Sequence, residues 1–191
     1  MGSDYLLKPL IFLVQVIFGL YAIIVLARLL LQWVRADFYN PVSQFVVKLT
    51  TPLLHPLRQV VPSVKGIDLA SLVLAWLVKS IELVLILILL GHAHLTPGAF
   101  LWSIPELISL TIHIFLFSIL ILVIVSWVNP GSYNPAVSLL HAITEPLMRP
   151  ARQKIPPISG IDLSPMAVIV ALYLLEMLLL PPLRWLTGSP F

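Results

Sequence analysis

Four long apolar stretches, separated by polar segments that contain prolines, dominate the hydrophobic pattern of this chain. They cover residues 10–34, 69–90, 107–128 and 163–180. A helix needs about 20 apolar residues to cross a hydrocarbon core, so each stretch has the length of a transmembrane span. None has the alternating pattern of a membrane β-strand, and backbone hydrogen bonds in lipid must close within the segment. The pattern predicts an all-α membrane protein with four transmembrane helices.

Composition leads to the same class of protein and excludes several kinds of chemistry. Hydrophobic residues make up 60% of the 191 positions and charged residues 10%, whereas a soluble domain carries about 25% charged residues. The chain contains no cysteine. Disulfides, thiolate metal sites and thiol nucleophiles are therefore excluded.

Basic residues are concentrated in two of the three connecting segments, and this asymmetry predicts the orientation. The middle segment has no lysine or arginine, whereas the other two contain Arg35, Lys48, Arg58 and Lys65, and Arg149, Arg152 and Lys154. By the positive-inside rule, both basic segments face the cytoplasm and both termini face outward. The net charge of +3 then reflects membrane topology, and we expect no nucleic-acid partner.

The chain repeats itself with an offset of 94 residues. Residues 33–82 align without a gap to residues 127–176, and seventeen of these aligned positions are identical. The repeat predicts two units, residues 1–94 and 95–191. Because each unit holds two spans, both copies enter the membrane from the same side, as a parallel repeat with a pseudo-two-fold axis along the membrane normal.

Each unit carries an amphipathic helix between its two spans, predicted over residues 41–51 and 135–145. Asn40 and Asn134 precede a proline, and this pair favours a capped helix start. Prolines that follow are expected to end or kink each helix because proline has no N–H donor. Val42, Phe45, Val46 and Leu49 are predicted to share the apolar face of the first helix.

Asp68 and Asp162 are expected to cap the span that follows each amphipathic helix. Two interpretations of these repeated segments remain open. In one, the helices lie among anionic lipid headgroups; in the other, they dock a partner protein or line a pore. Pairing of Arg58 with Asp68, and of Arg152 with Asp162, fits both. The candidate contact residues are Asn40, Lys48, Arg58, Asp68, Asn134, Arg149, Arg152 and Asp162.

The candidate polar cluster within the predicted spans consists of Lys79, Glu82, His113 and Glu176. Buried charges in a bilayer cost several kcal/mol, so they usually pair inside the bundle or mark a path for ions or protons. One interpretation is structural, with a Lys79–Glu82 pair and a Glu176 that hydrogen-bonds between helices. The alternative is a transport pathway. Arg28, near the cytoplasmic end of the first span, is placed to snorkel toward the headgroups.

No pattern in the chain supports catalysis. The sequence lacks a glycine-rich phosphate loop, a metalloprotease His-Glu pair and a serine nucleophile elbow. His92 and His94 have the spacing of a metal pair, but no third ligand lies nearby. We therefore expect no enzymatic activity, no cofactor and no metal site.

The run ADFYNPVSQFVVK at residues 36–48, followed by Pro52, the Pro-Leu-Arg at 56–58 and Pro62, resembles the YggT family, also called YlmG. Residues 160–166 in the second copy resemble the second half of the same family. The resemblance implies a small multi-pass protein of the bacterial inner membrane. In that membrane, the orientation predicted from the basic segments places both of them in the cytoplasm and both termini in the periplasm. It implies no catalytic residues. In proteobacteria the family is associated with osmotic-stress tolerance and potassium uptake, and in photosynthetic lineages with nucleoid distribution, division or cytochrome assembly.

Two functions are compatible with these features. The first is a membrane scaffold or assembly factor that binds anionic lipid headgroups and either a second copy or another membrane protein. The second is a component of potassium or proton transport in osmotic adaptation. The repeated basic segments favour the scaffold, and the charges within the spans favour transport.

Overall fold

The computed structural model of the chain describes residues 3–63, 68–128, 134–157 and 162–189. Those residues form helices and connecting loops, with no strand among them. In chain order the helices are α1 (Ser3–Trp33), α2 (Pro41–Val60), α3 (Leu69–Leu89), α4 (Ala99–Val128), α5 (Pro135–Lys154) and α6 (Ser164–Thr187), with a short 3-10 helix, Ala93–Gly98, before α4. The prediction of an all-α protein is confirmed for the described residues.

Four helices are long and apolar enough to cross a membrane, as predicted: α1, α3, α4 and α6. Their bounds differ from the prediction where prolines lie inside a helix. α4 begins at Ala99 and includes Pro105, although a start at residue 107 was predicted. α6 continues past residue 180 through Pro181 and Pro182. In a bilayer, leaving the helix would expose many unpaired backbone groups, so continuing it is the smaller cost.

The predicted ends of the two shorter helices are wrong. α2 continues through Pro52 and Pro56, and α5 continues through Pro146 and Pro150, so each helix has 20 residues. All four prolines are exposed. The later turns are held by tertiary packing, because Leu54 and Met148 are buried in the hydrophobic core. This packing outweighs the one helix hydrogen bond that each proline removes.

The helices pack in a chain of antiparallel neighbours. α1 packs on α3, α3 on α4, and α4 on α6; α2 lies against α1 and α3, and α5 lies against α4 and α6. Since α2 follows α1 and α5 follows α4, both shorter helices lie at the same end of the spans, where they contact each other. We call α2 and α5, together with Asp68 and Asp162 that follow them, the platform.

α2 presents three different faces. Its buried face carries Ser43, Val46, Thr50 and Leu54. A second face is apolar but exposed, and it carries Val42, Phe45, Leu49, Leu53 and Val60. The remaining side is polar and includes Gln44 and Lys48. The predicted single apolar face is therefore divided: Val46 packs on the protein, whereas Val42, Phe45 and Leu49 do not.

Candidate functional site

The two platform helices begin with the same cap and meet there. The Asn40 side chain accepts a hydrogen bond from the Val42 N–H at 2.9 Å, and the Asn134 side chain accepts one from the Ala136 N–H at 2.9 Å. Both predicted caps are confirmed; Tyr133, which precedes the second, lies outside the described residues. Asn40 also donates from Nδ2 to the Pro135 carbonyl at 2.7 Å and to Ser138 Oγ at 3.3 Å. Asn40 therefore joins α5 to α2.

At its other end, α2 is fixed to α3 by a buried carboxylate. Arg58 donates to Asp68 Oδ2, and the Ser71 hydroxyl donates to the same oxygen at 2.7 Å. Asp68 is the N-cap of α3, as predicted. Burial opposes its ionisation, but the hydrogen bonds from Arg58 and Ser71 outweigh burial and hold the pKa of Asp68 below its usual value. The repeated Gly-Ile at residues 66–67 lies outside the described residues.

The second copy has the same pairing in a more exposed form. Arg152 donates from Nε to Asp162 at 3.3 Å and from Nη1 to Glu145 at 3.3 Å. Burial is the largest influence on Asp162 and opposes ionisation, yet hydrogen bonds from Ser164 and Arg152 lower its pKa. Exposed pairs of this kind contribute about 0–1 kcal/mol. The partly buried Arg58–Asp68 pair therefore attaches the platform more firmly than the exposed Arg152–Asp162 pair does.

Asp162 does not occupy the cap position that was predicted for it. The N-cap of α6 is Leu163, and α6 begins at Ser164. Asp162 lies one residue earlier and accepts from the Ser164 N–H at 2.9 Å. Pro165 in the first turn accounts for the shift, because proline favours the first helical positions, where its missing N–H costs nothing. Residues 158–161, including the repeated Gly-Ile, lie outside the described residues.

The remaining basic candidates occupy the outside of the platform. Lys48 on α2 and Arg149 on α5 are both exposed. Neither position has a lysine or arginine in the other copy: Lys48 aligns with Ala142, and Arg149 aligns with His55. The two copies therefore place their exposed charges at different points along the helix.

Arg28 is buried and does not snorkel. Its Nη1 donates to Thr50 Oγ1 at 2.6 Å, to Thr51 Oγ1 at 3.1 Å and to the Val47 carbonyl at 3.1 Å. The side chain is only 6% exposed, because α2 covers the end of α1 at this point. Arg28 thus fixes α2 to α1, a role that requires contacts between two helices and is not visible in the local sequence.

The four polar candidates of the spans form two separate groups. Lys79 Nζ lies 2.8 Å from Glu82 Oε1 and 3.0 Å from Oε2, so the pair closes within α3. At 1.5 Å per residue, Lys79 is about 15 Å along α3, near the middle of a bilayer. Glu82 is buried. Such a pair neutralises both charges inside the bundle.

The second group joins α4 to α6. The Ser109 hydroxyl donates to Glu176 Oε1 at 2.8 Å, and His113 Nε2 lies 3.6 Å from Glu176 Oε2. Ser109 Oγ is also 3.4 Å from His113 Nδ1. His113 is 42% exposed and borders an apolar pocket of about 390 Å³ on the surface of the bundle.

One further charged pair between the long helices was not predicted from the sequence. Arg184 on α6 donates to Glu106 on α4 at 3.1 Å. Glu106 was placed in a loop because the third span was predicted to begin one residue later. The pattern that identifies it is the spacing of Glu106, Ser109 and His113, which puts all three on one side of a helix.

Among residues 3–63, 68–128, 134–157 and 162–189, no group of three or more histidine, aspartate or glutamate side chains has the arrangement of a metal site. His92 and His94 lie near each other, with ring centroids 6.1 Å apart. The charged side chains of the described spans instead form ion pairs and hydrogen bonds, within α3 for Lys79 and between α4 and α6 for Glu176 and Glu106.

Four membrane-length helices, joined by polar pairs and accompanied by two shorter helices at one end, define a multi-pass helical membrane protein. The family model described as CCB3/YggT matches the chain twice, over residues 7–89 and 101–183. Each bound of the second match lies 94 residues after the corresponding bound of the first, which is the offset of the sequence repeat. The chain belongs to the CCB3/YggT family.

Relatives in several bacteria match nearly the whole chain. An uncharacterised protein of Pseudomonas aeruginosa is 48% identical over 185 residues, covering 94% of this chain and 92% of the relative. The uncharacterised protein YggT of Escherichia coli is 38% identical over 173 residues, covering 90% and 89%. An uncharacterised protein of Haemophilus influenzae is 36% identical over 160 residues, covering 84% and 85%. No solved structure gives a significant match.

Proposed function

We propose that this protein is a non-enzymatic scaffold or assembly factor of the bacterial inner membrane, whose platform binds anionic lipid headgroups and docks a partner membrane protein. The observation that carries the proposal is the rigid attachment of the platform. Asn40 joins its two helices, Arg28 joins α2 to α1, and the Arg58–Asp68 pair joins α2 to α3. A surface fixed at three points presents its exposed side chains in a constant arrangement, and such preorganisation favours binding.

The exposed faces of α2 suit a position at the membrane surface. Its apolar exposed face, centred on Phe45 and Leu49, matches the hydrocarbon boundary, and the side that carries Lys48 matches the anionic headgroups. We infer that the two units, residues 1–94 and 95–191, are tandem copies around an axis along the membrane normal. The platform then lies in the cytoplasm, as the distribution of lysine and arginine favours.

Transport of an ion or a proton is the second candidate function. Half-exposed His113 beside Glu176 favours it, because these groups are titratable and lie within a span. Against transport, Lys79 is paired with Glu82, Glu106 with Arg184, and Glu176 with Ser109. Side chains that hold one another in pairs favour helix association, and we therefore place the scaffold first.

The proposed orientation predicts which residues a membrane-impermeant thiol reagent can reach. The chain has no cysteine, so each single substitution reports one site. Gln59→Cys and Gln153→Cys change repeat-related, exposed platform positions, and His94→Cys changes the connection between α3 and α4. We expect labelling of the two platform sites in inside-out vesicles only, and of residue 94 in spheroplasts only. Labelling of every site from the opposite side of the membrane would reverse the proposed orientation. Labelling of the two platform sites from different sides would exclude a parallel repeat.

The scaffold role is tested by separating the platform from the polar residues of the spans. Arg58→Ala combined with Arg152→Ala removes both platform pairs, whereas Glu176→Gln keeps the shape and the hydrogen bond but loses the titratable charge. In bacteria that lack their own copy, we expect the arginine variant to lose growth at high osmolarity and the glutamine variant to keep it. Membrane abundance, measured by immunoblot, must match for both. If the glutamine variant lost growth and the arginine variant kept it at equal abundance, transport would become the favoured function.

A further inference from the structure

Arg28 brings a positive charge into the protein without an acidic partner. Its three hydrogen-bond acceptors, Val47, Thr50 and Thr51, are all uncharged. Among the described residues, no carboxylate lies within ion-pair distance of it. A guanidinium buried without a counter-ion is costly, and a buried charge normally has an ionic or metal partner. All three of these hydrogen bonds come from Nη1, and their neutral oxygen acceptors do not neutralise the charge of the guanidinium.

A polar cavity lies beside this guanidinium. It has a volume of about 550 Å³ and is bounded by the end of α1, the outer turns of α2 and the start of α3. Arg28 and Arg58 both line it, together with Gln32, Ser63 and Asp68. Among the described residues that line the cavity, Asp68 is the one carboxylate, and it already accepts from Arg58 and Ser71. Two arginines and one aspartate leave the cavity with an excess of one positive charge.

The second copy has the opposite ratio of charges at the corresponding positions. Position 122, which aligns with Arg28, is leucine, and position 145, which aligns with Thr51, is glutamate. Glu145 and Asp162 both contact Arg152. The second copy thus has two carboxylates for one arginine, whereas the first has one carboxylate for two. Among the described residues, this excess of positive charge is found in the first copy.

We propose that this cavity binds one phosphate-bearing anion, held by Arg28 at its inner wall and by Arg58 at its rim. The planar guanidinium matches a phosphate group through paired hydrogen bonds, and basic pockets near helix ends accept lipid headgroups. Arg28 is five residues before the end of α1, about 8 Å along the helix, so the cavity lies at the platform end of the spans. The site rests on the proposed membrane position of the platform but needs no partner protein.

The site is tested by binding to the purified full-length protein in a neutral detergent. Dihexanoyl phosphatidylglycerol supplies an anionic headgroup, inorganic phosphate supplies the free anion, and dihexanoyl phosphatidylcholine controls for uncharged lipid binding. Native mass spectrometry counts the bound molecules, and titration calorimetry gives the affinity. We expect one anion for each chain. Phosphatidylglycerol binding without phosphate binding identifies a lipid ligand, and equal binding of inorganic phosphate identifies a soluble one.

Three variants locate the binding. Arg28→Gln keeps an amide donor for Thr50 but removes the charge, and we expect affinity to fall at least about tenfold, as for loss of a charged hydrogen bond. Arg35→Gln makes the same exchange at an exposed arginine outside the cavity and should bind like the parent protein. Ser63→Glu adds the missing carboxylate at the exposed rim; it should abolish binding and raise the unfolding temperature.

The outcomes are decisive even if one variant does not accumulate. Ser63→Glu is an exposed change and reports on the cavity without altering Arg28. Binding by Ser63→Glu at the parent affinity would overturn the proposal. So would failure of the parent protein to bind either anion, or an equal loss in Arg35→Gln, which would indicate general surface charge. Because none of these measurements uses cell growth, failure of the anion site is distinguishable from failure of the scaffold role.

Discussion

Replacing Glu82 with leucine is expected to destabilise the protein by about 3–5 kcal/mol, because Lys79 would be left charged and unpaired inside the bundle. In the parent protein, Lys79 Nζ lies 2.8 Å from Glu82 Oε1, and the Glu82 side chain is buried. Combining Lys79→Leu with Glu82→Leu removes both charges, so most of the stability should return. The measurements are membrane abundance and thermal unfolding in detergent.

A matched control for that experiment is Glu145→Leu, which breaks an exposed ion pair with Arg152. Its effect should be about 0–1 kcal/mol, as is usual for surface pairs. If the double variant were as unstable as Glu82→Leu alone, charge balance would not be the reason for the pair. If it were stable but failed to support growth at high osmolarity, the pair would have a role in function as well as in folding.

Asn40→Ala should reduce stability by about 2 kcal/mol, against about 1 kcal/mol for Asn134→Ala. Each variant loses a helix cap, which contributes about 1 kcal/mol. Asn40 also loses its donor bonds to Pro135 and Ser138, and a typical buried hydrogen bond adds about 1 kcal/mol. The two sites carry the same residue in the same motif, so the difference isolates the contact between α2 and α5.

Thermal unfolding of the two asparagine variants measures this difference. Asn40→Asp refines it, because the aspartate retains the oxygen that caps α2 but has no amide to donate to α5. Its carboxylate would also face the Pro135 carbonyl oxygen, so its stability should fall below that of the parent protein although the cap is kept. Equal losses in Asn40→Ala and Asn134→Ala would mean that the bonds from Asn40 to α5 do not stabilise the platform.

Features that depend on neighbours in the chain were predictable from the sequence. The four spans follow from uninterrupted apolar runs, and the starts of α2 and α5 follow from an asparagine before a proline. The Lys79–Glu82 pair follows from helical spacing. The relation of Arg58 to Asp68 was visible because the same residues recur at Arg152 and Asp162. In each case the interacting residues themselves lie within one helix or one short segment.

Features that depend on packing between helices were not predictable. Pro52 was expected to end α2, but Leu54 is fully buried among residues of α1 and α3, and that contact keeps the helix intact. Arg28 was assigned to the headgroups because nothing near it in the sequence shows that Thr50 covers it. Glu106 and Arg184 meet only because α4 and α6 are neighbours.

The prolines inside α2 also determine how deeply this helix can sit in the bilayer. Pro52 has no N–H for the carbonyl of Lys48, and Pro56 has none for the carbonyl of Pro52. In hydrocarbon, each such oxygen would cost several kcal/mol. Water molecules at the headgroup level remove that cost. Hydration of these two backbone oxygens therefore sets a limit to how far α2 can enter the hydrocarbon of a bilayer.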